Sequence, residues 1–374
     1  MNRLARRLLF LFISLILLTI LYKEVSQLPV VREMVIERRC GQTTYRSIPP
    51  KDEPTHECKR LLDIATEMLN GERIRLPIDT DDTRWMFKKA VDLSSYNRTD
   101  FRWNYPWEQG NNEKTLKKAM YYNVSASQLT AKKVFLTFGE NCCDVSKKRA
   151  VSHALEVGGF DVAKAHDLCS IKASFRQAHK DILFRKKGAG FWLWKPYIIL
   201  RTLVEKMSFG DVLMYEDAGS YLVQDAGPLL KLAMESPQGI VVFQMQLFEK
   251  YYTKRDTFVT MQMDYPAIDK HSYQTLGSFL ALRKDCATLQ FVMEWLAYSS
   301  DTRCVTNDPN RMGLLNYEGF VGHRHDQSVL SLLSRKWGIL QHRDPSNHGK
   351  DDWDIYGFAS GPYQQLIVHD RFRS

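Results

Sequence analysis

The sequence predicts an α/β domain built on a mostly parallel sheet with helices on both faces. Three observations carry that reading. From Lys132 onward, short apolar runs alternate with longer stretches of helical period. The composition is 44% apolar, 25% charged and 12% aromatic, an ordinary globular mix that argues against wholesale disorder. The stretch from residue 131 to 374 is about 240 residues, enough for one such domain, and shows no internal repeat.

Taken in order, Val134–Phe138 reads as a buried strand ended by Gly139, and Ser146–Val157 as a helix. Gly158-Gly159 leads to a strand over Phe160–Ala165, and Ile171–Phe184 has helical character. Lys195–Met207 is a helix with Pro196 in its first turn, where the missing N–H costs nothing. Asp211–Tyr215, Ile240–Phe243 and Leu276–Leu282 are strands, and Asp285–Tyr298 is an amphipathic helix. Asp326–Lys336 is a further helix and Leu366–Val368 a last strand. Such alternation implies a sheet covered on both faces.

Ahead of this domain, residues 1–7 form a short basic tail with Arg3, Arg6 and Arg7. Residues 8–22 read LLFLFISLILLTILY, apolar on every face. The run is slightly shorter than the about 17–25 residues that span a bilayer. No small-x-small cleavage site follows, so an uncleaved transmembrane signal anchor is expected. The arginines stay cytosolic and the rest faces the lumen of the Golgi or endoplasmic reticulum. Residues 23–130 are expected to be a stem and a partly folded lumenal region. Charge and proline give 23–55 a linker composition, and His56–Asn70 reads as a short helix closed by Gly71. Two sequons, at Asn97 and Asn123, fit a lumenal glycoprotein.

The net charge of +9 is spread without a long basic block beyond the N-terminus, a solvated surface and no nucleic-acid footprint. All seven cysteines follow the apolar run, so disulfides are expected in an oxidising lumen. The odd count leaves one thiol unpaired or a disulfide-linked homodimer. No cysteine–histidine cluster has zinc spacing.

Ligands of open α/β sheets bind beyond the carboxyl ends of strands. The strand 211–215 runs into Glu216-Asp217-Ala218-Gly219, a carboxylate pair suited to a hard cation and equally to a polar turn. His323-Arg324-His325-Asp326-Gln327-Ser328 opens a helix, where Asp326 is either a helix cap or a group that meets a hydroxyl. His369 follows the last strand, as a metal ligand or as an ordinary surface histidine. Trp192, Trp194 and Lys195 are either core packing or a sugar or base platform beside a phosphate-seeking ammonium.

The order of these pieces resembles the GT-A class of nucleotide-sugar glycosyltransferases, the glycogenin-like branch included. The matching pieces are an acidic strand end at Glu216-Asp217, then Leu276-Gly277-Ser278-Phe279, Asp326-Gln327 and a late His369. The segment Gly190–Tyr197 and the stretch Arg324–Leu333 are also similar to GT-A-like sequences, and anchor, stem and lumenal domain follow Golgi glycosyltransferase order. The resemblance covers about residues 132–370 in architecture. It implies a Rossmann-like GT-A domain over 131–374. A nucleoside-diphosphate sugar would lie near Thr137, Gly139, Trp194 and Lys195, and a glycan, glycolipid or glycoprotein acceptor near Gly277 and Gln327. Asp217, Glu216 and His369 would hold a manganese or magnesium ion, and Asp326 would act as the catalytic carboxylate. The sequence departs from the class's Asp-x-Asp, because Tyr215 and Gly219 flank Asp217 at the two candidate positions. The alternative is a non-catalytic, membrane-tethered GT-A-like domain that binds glycans or a partner. A glycoside hydrolase, with two carboxyl groups straddling one bond, is a third reading.

Overall fold

A computed structural model describes residues 19–20, 23–25, 27–40, 55–80, 86–89, 124–140, 143–264, 272–349 and 363–370. The apolar run expected to anchor the chain lies almost wholly outside these, and among the described residues no helix is long and apolar enough to cross a membrane. Asn97 and Asn123 also lie outside them.

A seven-stranded sheet forms the centre, in the order β2-β1-β3-β7-β5-β6 with β8 on β5. The strands are β1 (Lys133–Phe138), β2 (Val162–His166), β3 (Val212–Glu216), β5 (Ile240–Phe248), β6 (Tyr273–Thr275), β7 (Phe279–Arg283) and β8 (Gln341–His342). A separate pair joins β4 (Ser220–Leu222) to β9 (Ile367–His369). β2, β1 and β3 are parallel. β7 runs against both β3 and β5, so the expected mostly parallel sheet is mixed in its second half. The inserted antiparallel strand has a local use: it brings Gly277 and Ser278, just before β7, to the edge where β3 ends, since Glu216 pairs with Phe279.

Strand alternation sorts the core into two faces. Val134, Leu136 and Phe138 of β1 join Leu213 and Tyr215 of β3 on one. Phe135 joins Val212 and Met214 on the other. The first face is covered by α2 (His56–Leu69), α4 (Trp194–Lys206), α6 (Cys286–Ser299) and α7 (Asp326–Lys336). The second is covered by α3 (Asp144–Glu156) and α5 (Gly227–Glu235). α4 is buried on nearly every side, because it packs between the sheet, α2 and α6. Asp285 caps α6 by accepting from the Thr288 N–H at 2.8 Å. The expected helix over 171–184 is two short ones, Ala173–Ala178 and Lys180–Leu183, broken where His179 leaves helical geometry.

The linker expected at 23–55 needs correction. Pro29–Cys40 is a helix, α1, that belongs to the folded unit. Ile36 is buried in the main core, and Glu37 takes the guanidinium of buried Arg176 in a fork of 2.7 and 2.8 Å. Cys40 is bonded to Cys169, and Cys58 on α2 to Cys286 on α6. These bonds span 129 and 228 residues, so each restricts the unfolded chain by about 5 kcal/mol in the loop-entropy picture. Cys304 is a buried thiol out of reach of a second chain.

Candidate functional site

β1 lies between β2 and β3, the strands that follow it in the chain. The chain therefore leaves β1 to one side and returns on the other, a topological switch point, where open α/β sheets bind ligands beyond the strand ends. Thr137 and Gly139 stand at the end of β1, and Glu216 and Asp217 at the end of β3. Alternation sends the two acids to opposite faces.

Asp217 shares its face with Tyr215, whose hydroxyl donates to Asp217 Oδ1 at 2.5 Å. From α4, Lys195 reaches the same oxygen at 3.3 Å. The Lys195 ammonium also stands 2.9 Å from Asp326 Oδ2 and donates to the Gly277 carbonyl at 2.7 Å. Four separate elements thus meet at one nitrogen. Lys195 is 2% exposed and Asp326 3% exposed, while the Asp217 side chain keeps 30% of its surface open. Burial pulls Lys195 down, but Asp217 and Asp326 outweigh it and hold its pKa above the ordinary lysine value. Burial lifts Asp326 to about 6; Lys195 opposes that rise and the Asp217 charge adds to it. The Lys195–Asp326 approach is an ion contact without hydrogen-bond alignment, leaving Oδ2 of Asp326 with a lone pair to spare.

Backbone strain surrounds these groups. His325, one residue before Asp326, has φ 57° and ψ −122°. Ala189, Phe191 and Trp192, shortly before Lys195, also have positive φ. Non-glycine residues held this way cost about 1–3 kcal/mol each and persist where packing over-determines them. Here the two segments lock each other: the Trp192 ring stacks on His325 at 5.4 Å and Phe191 lies 4.9 Å from it. His325 is tied further through Nδ1 to the Val305 carbonyl at 2.7 Å. α7 begins without a side-chain cap, so Asp326 is its first helical residue and does not cap it.

The residues expected on the acceptor side, Gly277 and Gln327, also meet. Gly277 N–H donates to Gln327 Oε1 at 3.2 Å, and Gln327 Nε2 donates to Gln274 at 2.7 Å. A Cβ on Gly277 would stand 3.0 Å from that of Gln327, which is why glycine fits there. A cavity of about 620 Å³ is lined by Lys187, Lys254, Asn307, Leu315 and His323 among others, and Asp326 is not part of its lining.

Three expected roles change. Trp194 is 4% exposed, stacks on Phe138 at 3.6 Å and 9°, and donates its indole N–H to the Gly188 carbonyl at 2.9 Å. It is core packing, with no face left for a base. Lys195 donates to the Gly277 carbonyl and stands within 3.3 Å of two carboxylates, so its charge is met by carboxylates before any phosphate. The expected ligands Glu216, Asp217 and His369 do not gather: among the described residues no group of three His, Cys, Asp or Glu side chains is placed to hold a metal. Glu216 faces away from Asp217, and His369 sits in β9 opposite Ser220, its backbone N–H bonded to Asn347. Tyr215 and the strained Phe191-Trp192 turn are site features the sequence reading missed. The turn's one legible sign is the pair Gly188 and Gly190 beside it.

Glu216 is fully buried, and neither carboxylate oxygen has a hydrogen-bond partner among the described residues. Thr137, one place past the Leu136–Tyr215 pair and so beside it, has an equally unpartnered hydroxyl. Burial pushes Glu216 up to about 8; the nearby Ser220 hydroxyl opposes that rise and the Asp217 charge adds to it. The folded chain therefore holds a proton on Glu216 that the unfolded chain releases near pH 4.5. That stability is complete below about 4.5 and is lost as pH rises through about 8. Glu216→Gln is expected to remove this decline: urea midpoints at pH 5 and pH 8 should differ less in the variant than in the wild type. An unchanged slope would mean that Glu216 is already ionised.

The chain matches no protein-family model and no curated protein. Among solved structures, mouse xyloside xylosyltransferase 1 in its apo form aligns with 64% of this chain and 97% of its own at 12% identity, with a TM-score of 0.33. Likeness at that level decides neither fold nor function.

Proposed function

We propose that residues 131–374 form a glycosyltransferase domain that moves a sugar from a nucleoside-diphosphate donor to a hydroxyl of a glycan, glycolipid or glycoprotein. One observation carries this: Asp326 from α7 and Asp217 from the end of β3 close on one buried ammonium beside the sheet's switch point, and burial lifts the Asp326 pKa to about 6. A base acts best with a pKa near the working pH, and a carboxylate at its ordinary value is too weak to take a hydroxyl proton efficiently. Asp326 takes the acceptor proton as the acceptor oxygen bonds to the sugar's anomeric carbon. The bond from that carbon to the diphosphate oxygen breaks, and the nucleoside diphosphate leaves with the electron pair. A single displacement of this kind inverts the anomeric centre. Gln327 and Gly277, bonded to each other beside Asp326, form the acceptor wall. Thr137 and Gly139 mark the donor end of the sheet.

An anchor at residues 8–22 would hold this domain on the lumenal side of a Golgi or endoplasmic-reticulum membrane. Disulfides Cys40–Cys169 and Cys58–Cys286 support an oxidising compartment.

The test is a panel of nucleotide sugars offered to the full chain in detergent, with and without glycan acceptors. Release of nucleoside diphosphate that depends on one donor, with an inverted product, is the expected result. Retained configuration would recast Asp326 as a stabiliser of the oxocarbenium-like centre. If no donor is bound or consumed, the deep burial of Lys195 and Asp326 is structural and the domain is a glycan- or partner-binding module.

A further inference from the structure

A divalent ion in a nucleotide-sugar site needs oxygen ligands free to point at it, typically carboxylates and carbonyls at about 2.0–2.6 Å. At the end of β3 those oxygens already surround a cation. Asp217 Oδ1 receives both the Tyr215 hydroxyl and the Lys195 ammonium. Asp326 Oδ2 faces the same ammonium from α7, and the Gly277 carbonyl completes its shell. Two carboxylates and one backbone carbonyl, drawn from three elements, are the ligand set a hard ion would take. An ammonium has N–H donors and no acceptor, and these three oxygens lie within 3.3 Å of it, one in a hydrogen bond and two as ion contacts.

The lysine cannot readily step aside. It is the second residue of α4, flanked by Trp194 stacked on Phe138 and by buried Pro196 and Tyr197, and it is itself 2% exposed. The remaining expected ligands are turned away, Glu216 on the opposite face of the sheet and His369 on β9. The departure from Asp-x-Asp fits this arrangement: the position two before Asp217 is Tyr215, whose hydroxyl serves Asp217 as a donor and offers no carboxylate.

We propose that Lys195 is a built-in counter-cation standing where a metal would stand, and that this site works without a divalent ion. The inference about occupancy does not depend on the reaction. One consequence does rest on the sugar-transfer reading. Lys195, Asp217 and Asp326 together carry one net negative charge when both acids are ionised. When Asp326 takes the acceptor proton, the cluster becomes neutral as negative charge arrives on the departing diphosphate.

The experiment uses manganese alone as the probe. Purified full chain is titrated with Mn²⁺ by calorimetry and melted with and without millimolar Mn²⁺. The expected wild-type result is no saturable binding that Asp217→Asn abolishes, no rise in melting temperature, and nucleotide-sugar turnover unchanged by EDTA. Lys195→Ala removes the tethered cation and leaves its oxygens in place. This variant should gain a saturable Mn²⁺ site and a Mn²⁺-dependent rise in melting temperature, both lost in Lys195→Ala/Asp217→Asn. Saturable wild-type binding that disappears in Asp217→Asn overturns the proposal. So does a folded Lys195→Ala that ignores Mn²⁺. If Lys195→Ala does not fold, the wild-type arm decides alone. A wild-type chain that binds no Mn²⁺ and transfers no sugar sinks the glycosyltransferase reading while leaving this inference standing.

Discussion

Asp326→Asn is expected to lower sugar transfer by about 10²–10⁴-fold, the usual weight of a general base, while the protein stays folded. Asparagine matches aspartate in shape, so the Trp295 indole still donates to the residue 326 carbonyl and the strained His325 turn keeps its partners. α7 loses no cap, since Asp326 supplies none. Lys195 keeps Asp217 and the Gly277 carbonyl. The stability loss should therefore stay under about 2 kcal/mol, the range of one polar partner. A second signature separates chemistry from structure. With Asp326 at about 6, the wild-type rate should climb about tenfold per pH unit below that value and level off above it. The variant's residual rate should lack this limb. Initial rates across pH, beside thermal melts, check both points. If rate and stability fall together and the pH limb survives, Asp326 is a buried structural acid.

The regular elements were legible because local pattern and tertiary need agree there. β1, α3, α4, α6 and α7 fall within two residues of their expected places, each with an apolar run or stripe that has one way to be buried. Asp217 and Asp326 stand out in the sequence because they follow or precede such runs, whereas Gly277 and Gln327 are marked only through the resemblance to GT-A sequences. Four things could not be read there. α1 reads as linker, since its hold on the domain is a disulfide to Cys169 and an ion pair to Arg176, partners more than a hundred residues away. β7 reads as one more strand, and a short apolar run carries no mark of its direction. Lys195 reads as a phosphate binder, because adjacency to Trp194 is visible in sequence and the two aspartates that neutralise it are not. Nor does the sequence show that Phe191 and Trp192 adopt positive φ; only the packing against His325 requires it.

Lys195→Met should unfold the protein more readily, with a loss of about 3–5 kcal/mol, the range for removing one partner of a buried ion pair. Methionine keeps the length of the stem and its packing beside Trp194 and Tyr215. What disappears is the charge between two carboxylates, one of them 3% exposed, and a donor to the buried side of Gly277. Asp326 must then stand near Asp217 unneutralised or hold its proton. The ammonium is what lowers the Asp326 pKa against burial, so its removal raises that pKa further. The group then contributes stability only below its new, higher pKa and loses it as pH rises. The deficit of Lys195→Met relative to wild type should accordingly be smaller at acid pH than at neutral pH. Asp326→Asn placed in the same chain removes the stranded charge and should restore part of the loss, giving a coupling well outside the few tenths of a kcal/mol expected for independent sites. Urea denaturation of the two single variants, the double variant and the wild type at two pH values measures all of this. A Lys195→Met chain as stable as wild type, with the nucleotide affinity alone reduced, would return Lys195 to the phosphate-binding role and dissolve the cluster as the organiser of the site.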